Sequence, residues 1–165
     1  MPVDTMRTLI NRLIEIHDAL NDIAKEKTEA IKNGDVHTVS RLTSREVPLI
    51  KELEELNKKR ESTAAEDVRA LGGQERKPTF REWQRLAVPE ESRPEWETLS
   101  LKLINRIHGL RQTNRLNQDM LRQSLQWIRL SMNLLQPPVE PANYGHRKTG
   151  KDPLPPFSGR IDSRA

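Results

Sequence analysis

Between Met6 and Ile31 apolar side chains return every four and then every three residues: Met6, Ile10, Leu13, Leu20, Ala24 and Ile31, with His17 and Lys27 falling in the same row. A second row, Leu9, Ile16, Ile23 and Ala30, runs beside the first. A 4-3 rhythm keeps residues on one side of a helix turning 3.6 residues at a time, so the segment is predicted to be helical over about 4–32. Three apolar positions per heptad make a stripe wider than a two-stranded seam, and a helix carrying it must meet more than one partner helix. This stripe sets the fold class: all-α, with long helices laid side by side. Asp4 or Thr5 is expected to cap the start, and "NGD" at 33–35 ends the helix, with Gly34 free to take the left-handed conformation.

Asp35 can cap a second helix, about 36–70, whose apolar row is Val39, Leu42, Leu49, Ile50, Leu53 and Leu56, followed by the polar run "NKKRESTAAEDVRALGG". The short turn makes these two helices antiparallel neighbours. Pro48 removes one helix hydrogen bond at a cost of about 3 kcal/mol, but the 4-3 phase survives across it, which predicts a kink and not a break. In "TFRE" Thr79 and Glu82 have capping-box spacing, predicting a short helix at about 80–87 with Phe80, Trp83 and Leu86 as its apolar face. In "SRPE" Ser92 is the expected cap of a last helix, about 93–136, with Pro94 in its first turn and Glu95 at the third position. Pro137 and Pro138 stop it. Residues 137–165 hold six prolines, three glycines and no periodicity, which reads as a flexible, disordered tail. The expected architecture is thus one helical domain over 1–136, an elongated antiparallel hairpin or bundle of three long helices with a short connecting helix.

Composition agrees with elongation. Hydrophobic residues are 34% and charged residues 32% of the chain, against about 45–50% and about 25% in ordinary globular domains. Without cysteine there is neither a disulfide frame nor a thiolate metal site. The four histidines (His17, His37, His108, His146) lack the spacing that brings metal ligands onto one helix face, and no glycine-rich loop follows a strand, so neither a cofactor nor an enzymatic activity is expected. His17 reads as a core-edge histidine. The first residues carry a charge every few positions, unlike a signal peptide, and no apolar run approaches about 18 residues, so a cytoplasmic protein without membrane insertion is expected.

Charge is uneven. Residues 1–71 hold 12 basic and 14 acidic side chains, whereas residues 100–136 hold six basic ones and the single acid Asp119. Five arginines of the last helix, Arg106, Arg111, Arg115, Arg122 and Arg129, would suit nucleic acid, but an acidic helix within the chain or an acidic protein explains them equally well, and no nucleic-acid partner is expected. In the same helix Asn114 and Asn117 interrupt the apolar row, as a polar layer that fixes register would. Beyond Asn117 apolar groups occupy several faces at once, including Met120, Leu121, Leu125, Trp127, Ile128, Leu130, Met132, Leu134 and Leu135. A two-helix hairpin cannot cover a helix apolar all round, so part of that surface must meet something else.

The leading hairpin with "NGD" at its turn, the last helix with "NRLNQDMLRQSL" leading to "NLL", and a tail with "YGHRKTG" and "RIDSRA" resemble the FlgN family of flagellar export chaperones along essentially the whole chain. The resemblance implies a cytosolic chaperone that binds the hook-filament junction proteins FlgK and FlgL and delivers them to the FlhA subunit of the export gate. It places cargo contacts on Met120, Leu121, Leu125, Trp127, Ile128, Met132 and Leu135, and gate docking on Tyr144. The connector "GGQERKPTFREWQRLAVPEES" is unusually aromatic and rich in arginine, and nothing carries over to residues 72–91; Pro48 is the other departure. Two rival readings stay open: a generic coiled-coil adaptor, in which residues 120–135 close against a second copy as a homodimer, and a basic nucleic-acid-binding helix.

Overall fold

In the computed structural model, which describes residues 2–74 and 77–136, the long apolar stripe belongs to α1 (Pro2–Lys32), flanked by α2 (Val36–Ala70) and α4 (Arg93–Leu135), with the short α3 (Phe80–Ala87) and a 3-10 turn at Glu90–Ser92 between the last two. No strand occurs among the described residues. The apolar residues of both rows are buried, together with Ile14, His17 and Thr28. α1 is wide because it serves two neighbours: it packs along both α2 and α4. Lys27, the one cation in the row, meets Glu46 of α2 at 2.8 Å in a pair about 14% and 12% exposed. His17 is buried, with Nδ1 2.7 Å from the Leu13 carbonyl oxygen.

The turn after α1 forms as its glycine predicts. Gly34 has φ +68°, and Asp35 accepts from the Thr38 backbone N–H at 3.0 Å to cap α2. Ion pairs then fix the antiparallel hairpin, Arg12 with Glu52 at 2.7 Å toward its middle and Lys27 with Glu46 nearer the turn. α2 runs unbroken through Pro48. Three local expectations are corrected. α1 begins at Pro2, so Asp4 and Thr5 are not caps but lie inside the first turns, where a proline start is favoured. Ile50 is 44% exposed, because Leu42, Leu49 and Leu53 already fill the α1-facing side of α2. Ser92 makes no capping hydrogen bond, and Glu95, instead of reaching back to it, is held by Arg7 of α1.

At the far end of the hairpin the connector closes the core. Thr79 and Glu82 form both halves of the capping box, and α3 lays Trp83 against α2 and α4. Trp83 and Trp96 are the two largest fully buried side chains. Their rings meet edge to face at 5.0 Å, Phe80 stacks on Trp83 at 5.6 Å, and Trp83 Nε1 donates to Asp67 Oδ2 at 2.7 Å. Met6, Ile10 and Ile14 of α1 and Ala64 and Val68 of α2 complete the cluster. Leu86, expected on the inner face of α3, is 39% exposed, and Gln84 is buried instead, its amide donating to the Arg93 carbonyl. Gly73 has to be glycine: a Cβ there would run into the Val68 side chain and lie 3.0 Å from its carbonyl oxygen.

Candidate functional site: the overhang of the last helix

α4 runs parallel to α1, and named contacts set the register. Arg7 pairs with Glu95, Asp18 accepts from Arg106 Nε at 2.6 Å, and Asn21 donates to the Arg106 carbonyl at 3.2 Å. The last such contact is the polar layer at Asn117. Its side chain is 3% exposed, donates to the Ala24 carbonyl at 2.9 Å and accepts from Thr28 Oγ1 at 2.6 Å. The register-setting role expected of Asn117 therefore has its partners in place, on α1 of the same chain. Asn114 is half-buried beside it.

Thr28 faces Asn117, so the end of α1 at Lys32 is level with about residue 121, and α4 continues to Leu135. At 1.5 Å per residue the remaining turns extend roughly 20 Å past the tip of the hairpin. Nothing else in the described chain accompanies them, and every residue from Leu121 to Leu130 is exposed. This explains the greasy half-helix. It is not a core segment; it projects beyond the core.

The sequence-predicted residues lie together on this projection. Met120 is half-buried at its root, and the exposures outward are 39% for Leu121, 55% for Leu125, 70% for Trp127, 52% for Ile128, 59% for Met132 and 83% for Leu135. The steps 121, 125, 128, 132 and 135 continue the side of α4 that α1 covers further back, so one apolar seam is filled as far as Lys32 and bare beyond it. Met120, Trp127, Leu130 and Leu134 form a second stripe, separated from the first by roughly 140° on the helical wheel. Leu116, 51% exposed, lies about five turns before Leu134 and extends the second stripe toward the root; it stands outside the 4-3 row, so the pattern did not single it out. Trp127 is not a core residue. Tyr144 and the rest of 137–165 lie outside the described residues.

The other chemistry suggested for α4 is thinner. Of the five arginines from Arg106 to Arg129, Arg106 is engaged with Asp18, and Arg122 stands 3.6 Å from Asp119 on its own helix. Among the described residues no group of three or more His, Asp or Glu side chains could hold a metal ion. No helix of the described chain is long and apolar enough to cross a membrane.

The family model described as FlgN protein matches residues 1–151. A Bacillus subtilis (strain 168) protein, named only as uncharacterized protein YvyG, is 27% identical over 158 residues, covering 94% of each chain. No solved structure matches this chain. The chain belongs to the FlgN family, a family of flagellar export chaperones.

Proposed function

We propose that this FlgN-family export chaperone works in the cytoplasm, holding the hook-filament junction proteins FlgK and FlgL by their terminal helical segments and delivering them to FlhA at the export gate. The observation that carries the reading is the bare apolar projection of α4. Two apolar stripes on one unaccompanied helix suit two amphipathic helices laid alongside it, the groove-and-helix mode of recognition in which methionine and tryptophan adapt to the incoming surface. Cargo segments that assemble only inside the growing filament expose such faces beforehand, and covering them prevents premature polymerisation. Met120, Leu121, Leu125, Trp127, Ile128, Met132 and Leu135 make the cargo contacts. The tail that follows carries Tyr144 to the gate. The cycle requires no nucleotide site; competition at the gate, through a difference in docking free energy between loaded and empty forms, can drive release.

The test is retention of FlgK and FlgL by a variant carrying Leu121→Ser, Leu125→Ser and Ile128→Ser. These side chains are exposed, so helicity and the unfolding transition should be unchanged while retention is lost; full retention by the folded variant refutes the assignment. Tyr144→Ala should leave retention intact and weaken capture by FlhA. The same faces could close on a second copy when cargo is absent. Light scattering then shows a dimer that cargo dissolves, and a tight dimer that excludes cargo would instead favour the adaptor reading.

A further inference from the structure

At the opposite end of α4 a second surface is built from the connector. A groove of about 540 Å³ runs between α3 and the first turns of α4. Its charged lining is Arg81, Arg85 and Arg93, against the single carboxylate Glu97. Its apolar lining includes Phe80 together with Leu101 and Ile104, which are 58% and 54% exposed. Neither Arg81 nor Arg85 is in an ion pair within 4.0 Å among the described residues, although Arg85 acts on Glu82 at longer range. Arg93 is under-used as well: Nη2 lies 3.5 Å from the Arg85 carbonyl, Nη1 lies 3.6 Å from Glu90, and the buried Nε has no hydrogen-bond partner among the described residues. With Glu90 beyond hydrogen-bond distance, that guanidinium fork has donors left over for a closer, bidentate carboxylate.

We propose that this groove is a second docking site, for an acidic amphipathic helix of a partner protein, with leucine-type side chains over Leu101 and Ile104 and carboxylates on Arg81, Arg85 and Arg93. The chain's own tail fits poorly, since residues 137–165 carry five Lys and Arg side chains against three Asp and Glu and would meet like charge. From Leu101 to Ile128 along α4 is roughly 40 Å, so both sites can be filled at once. The protein is thereby bivalent, an apolar projection and an arginine-lined groove joined by one helix.

The probe is a fluorescein-labelled synthetic helix with leucines at i, i+3, i+4 and i+7 flanked by glutamates, followed by anisotropy with the full chain at low salt. Saturable binding is expected. The double variant Arg81→Glu, Arg85→Glu should weaken it by at least about tenfold, the loss of one or two charge-assisted hydrogen bonds. Leu101→Ser with Ile104→Ser should also weaken it, and the lysine version of the peptide should not bind. The overhang variant, Leu121→Ser with Leu125→Ser and Ile128→Ser, should bind the peptide like wild type, which separates this site from the cargo platform. All these substitutions are at solvent-facing positions, and unchanged circular dichroism checks the fold. The proposal is overturned by absence of saturable binding to wild type, by equal binding to the charge-reversed variant, or by displacement of the peptide by a short single-stranded oligonucleotide, which would make the groove a nucleic-acid site.

Discussion

Replacing Asn117 by alanine removes the last layer that ties α4 to α1 before the overhang. Two hydrogen bonds are lost, the amide to the Ala24 carbonyl and the Thr28 hydroxyl to the amide oxygen. Each contributes a net of about 1 kcal/mol. The loss is not compounded by an orphaned donor, because Thr28 Oγ1 is also 3.0 Å from the Ala24 carbonyl and can turn its proton there. The expected destabilisation is therefore about 2 kcal/mol, the small cavity adding a little to the hydrogen bonds. In urea, with a slope of about 2 kcal/mol/M, the midpoint should fall by about 1 M. A Thr28→Val background isolates the mechanism: there one of the two bonds is already gone, and Asn117→Ala should cost only about half as much. An unchanged midpoint, or the same shift in both backgrounds, would refute the reasoning. The layer has a functional side too. Sliding α4 back by one turn would set Leu121 against Thr28 and break both hydrogen bonds that Asn117 makes, so the asparagine opposes withdrawal of the platform.

Trp127 is 70% exposed while Trp83 and Trp96 are buried, so iodide should quench only a part of the tryptophan emission, and Trp127→Phe should abolish the quenchable part; if it survives, the overhang is covered. Trp83→Ala empties the centre of the aromatic cluster and should cost about 3–5 kcal/mol in chemical unfolding, whereas a value under about 1 kcal/mol would mean that α3 is not part of the core. Three carboxyls are held below their ordinary values: Asp35 by the Thr38 hydroxyl and N–H, Glu82 by the Thr79 N–H and hydroxyl, and Glu95 by Arg7. Because their folded values are lowered, the stability they contribute is complete above the ordinary values of 3.8 for Asp35 and 4.5 for Glu82 and Glu95, and is lost as pH falls through the folded ones. Unfolding midpoints should therefore drop below about pH 4, less steeply in Glu82→Gln, and an identical pH profile for that variant would contradict the capping box as the cause.

What could be read from residues alone follows how local the controlling physics is. The α1 stripe, the Gly34 turn, the Asp35 cap and the Thr79–Glu82 box depend on neighbours within a few positions, and all form. The misreadings are places where a distant residue decides. Ser92 and Glu95 have the spacing of a capping box, yet Arg7, 88 positions away, takes the glutamate. Ala64 and Val68 sit in a run that looks polar and are buried because Trp83 arrives on them from the connector. Lys27 looks like a flaw in the α1 row, and its partner Glu46 lies on α2, 19 positions away.

The functional surface lay between these two cases. Its apolar residues were visible, but whether they were core or platform depended on how far α1 reaches along α4, a matter of register that no single helix encodes. Once Asn117 is paired with Thr28, the lengths decide: α1 has 31 residues and α4 has 43, the two start together at Arg7 and Glu95, and the surplus turns have nothing to lie against. Lengthening α1 and α2 by one heptad each, with apolar residues continuing the stripe, should then bury Leu121, Leu125 and Ile128 inside the chain's own bundle. If the overhang is the cargo platform, that extended protein will be more stable and will no longer retain FlgK or FlgL; retention at the wild-type level would locate the cargo surface elsewhere.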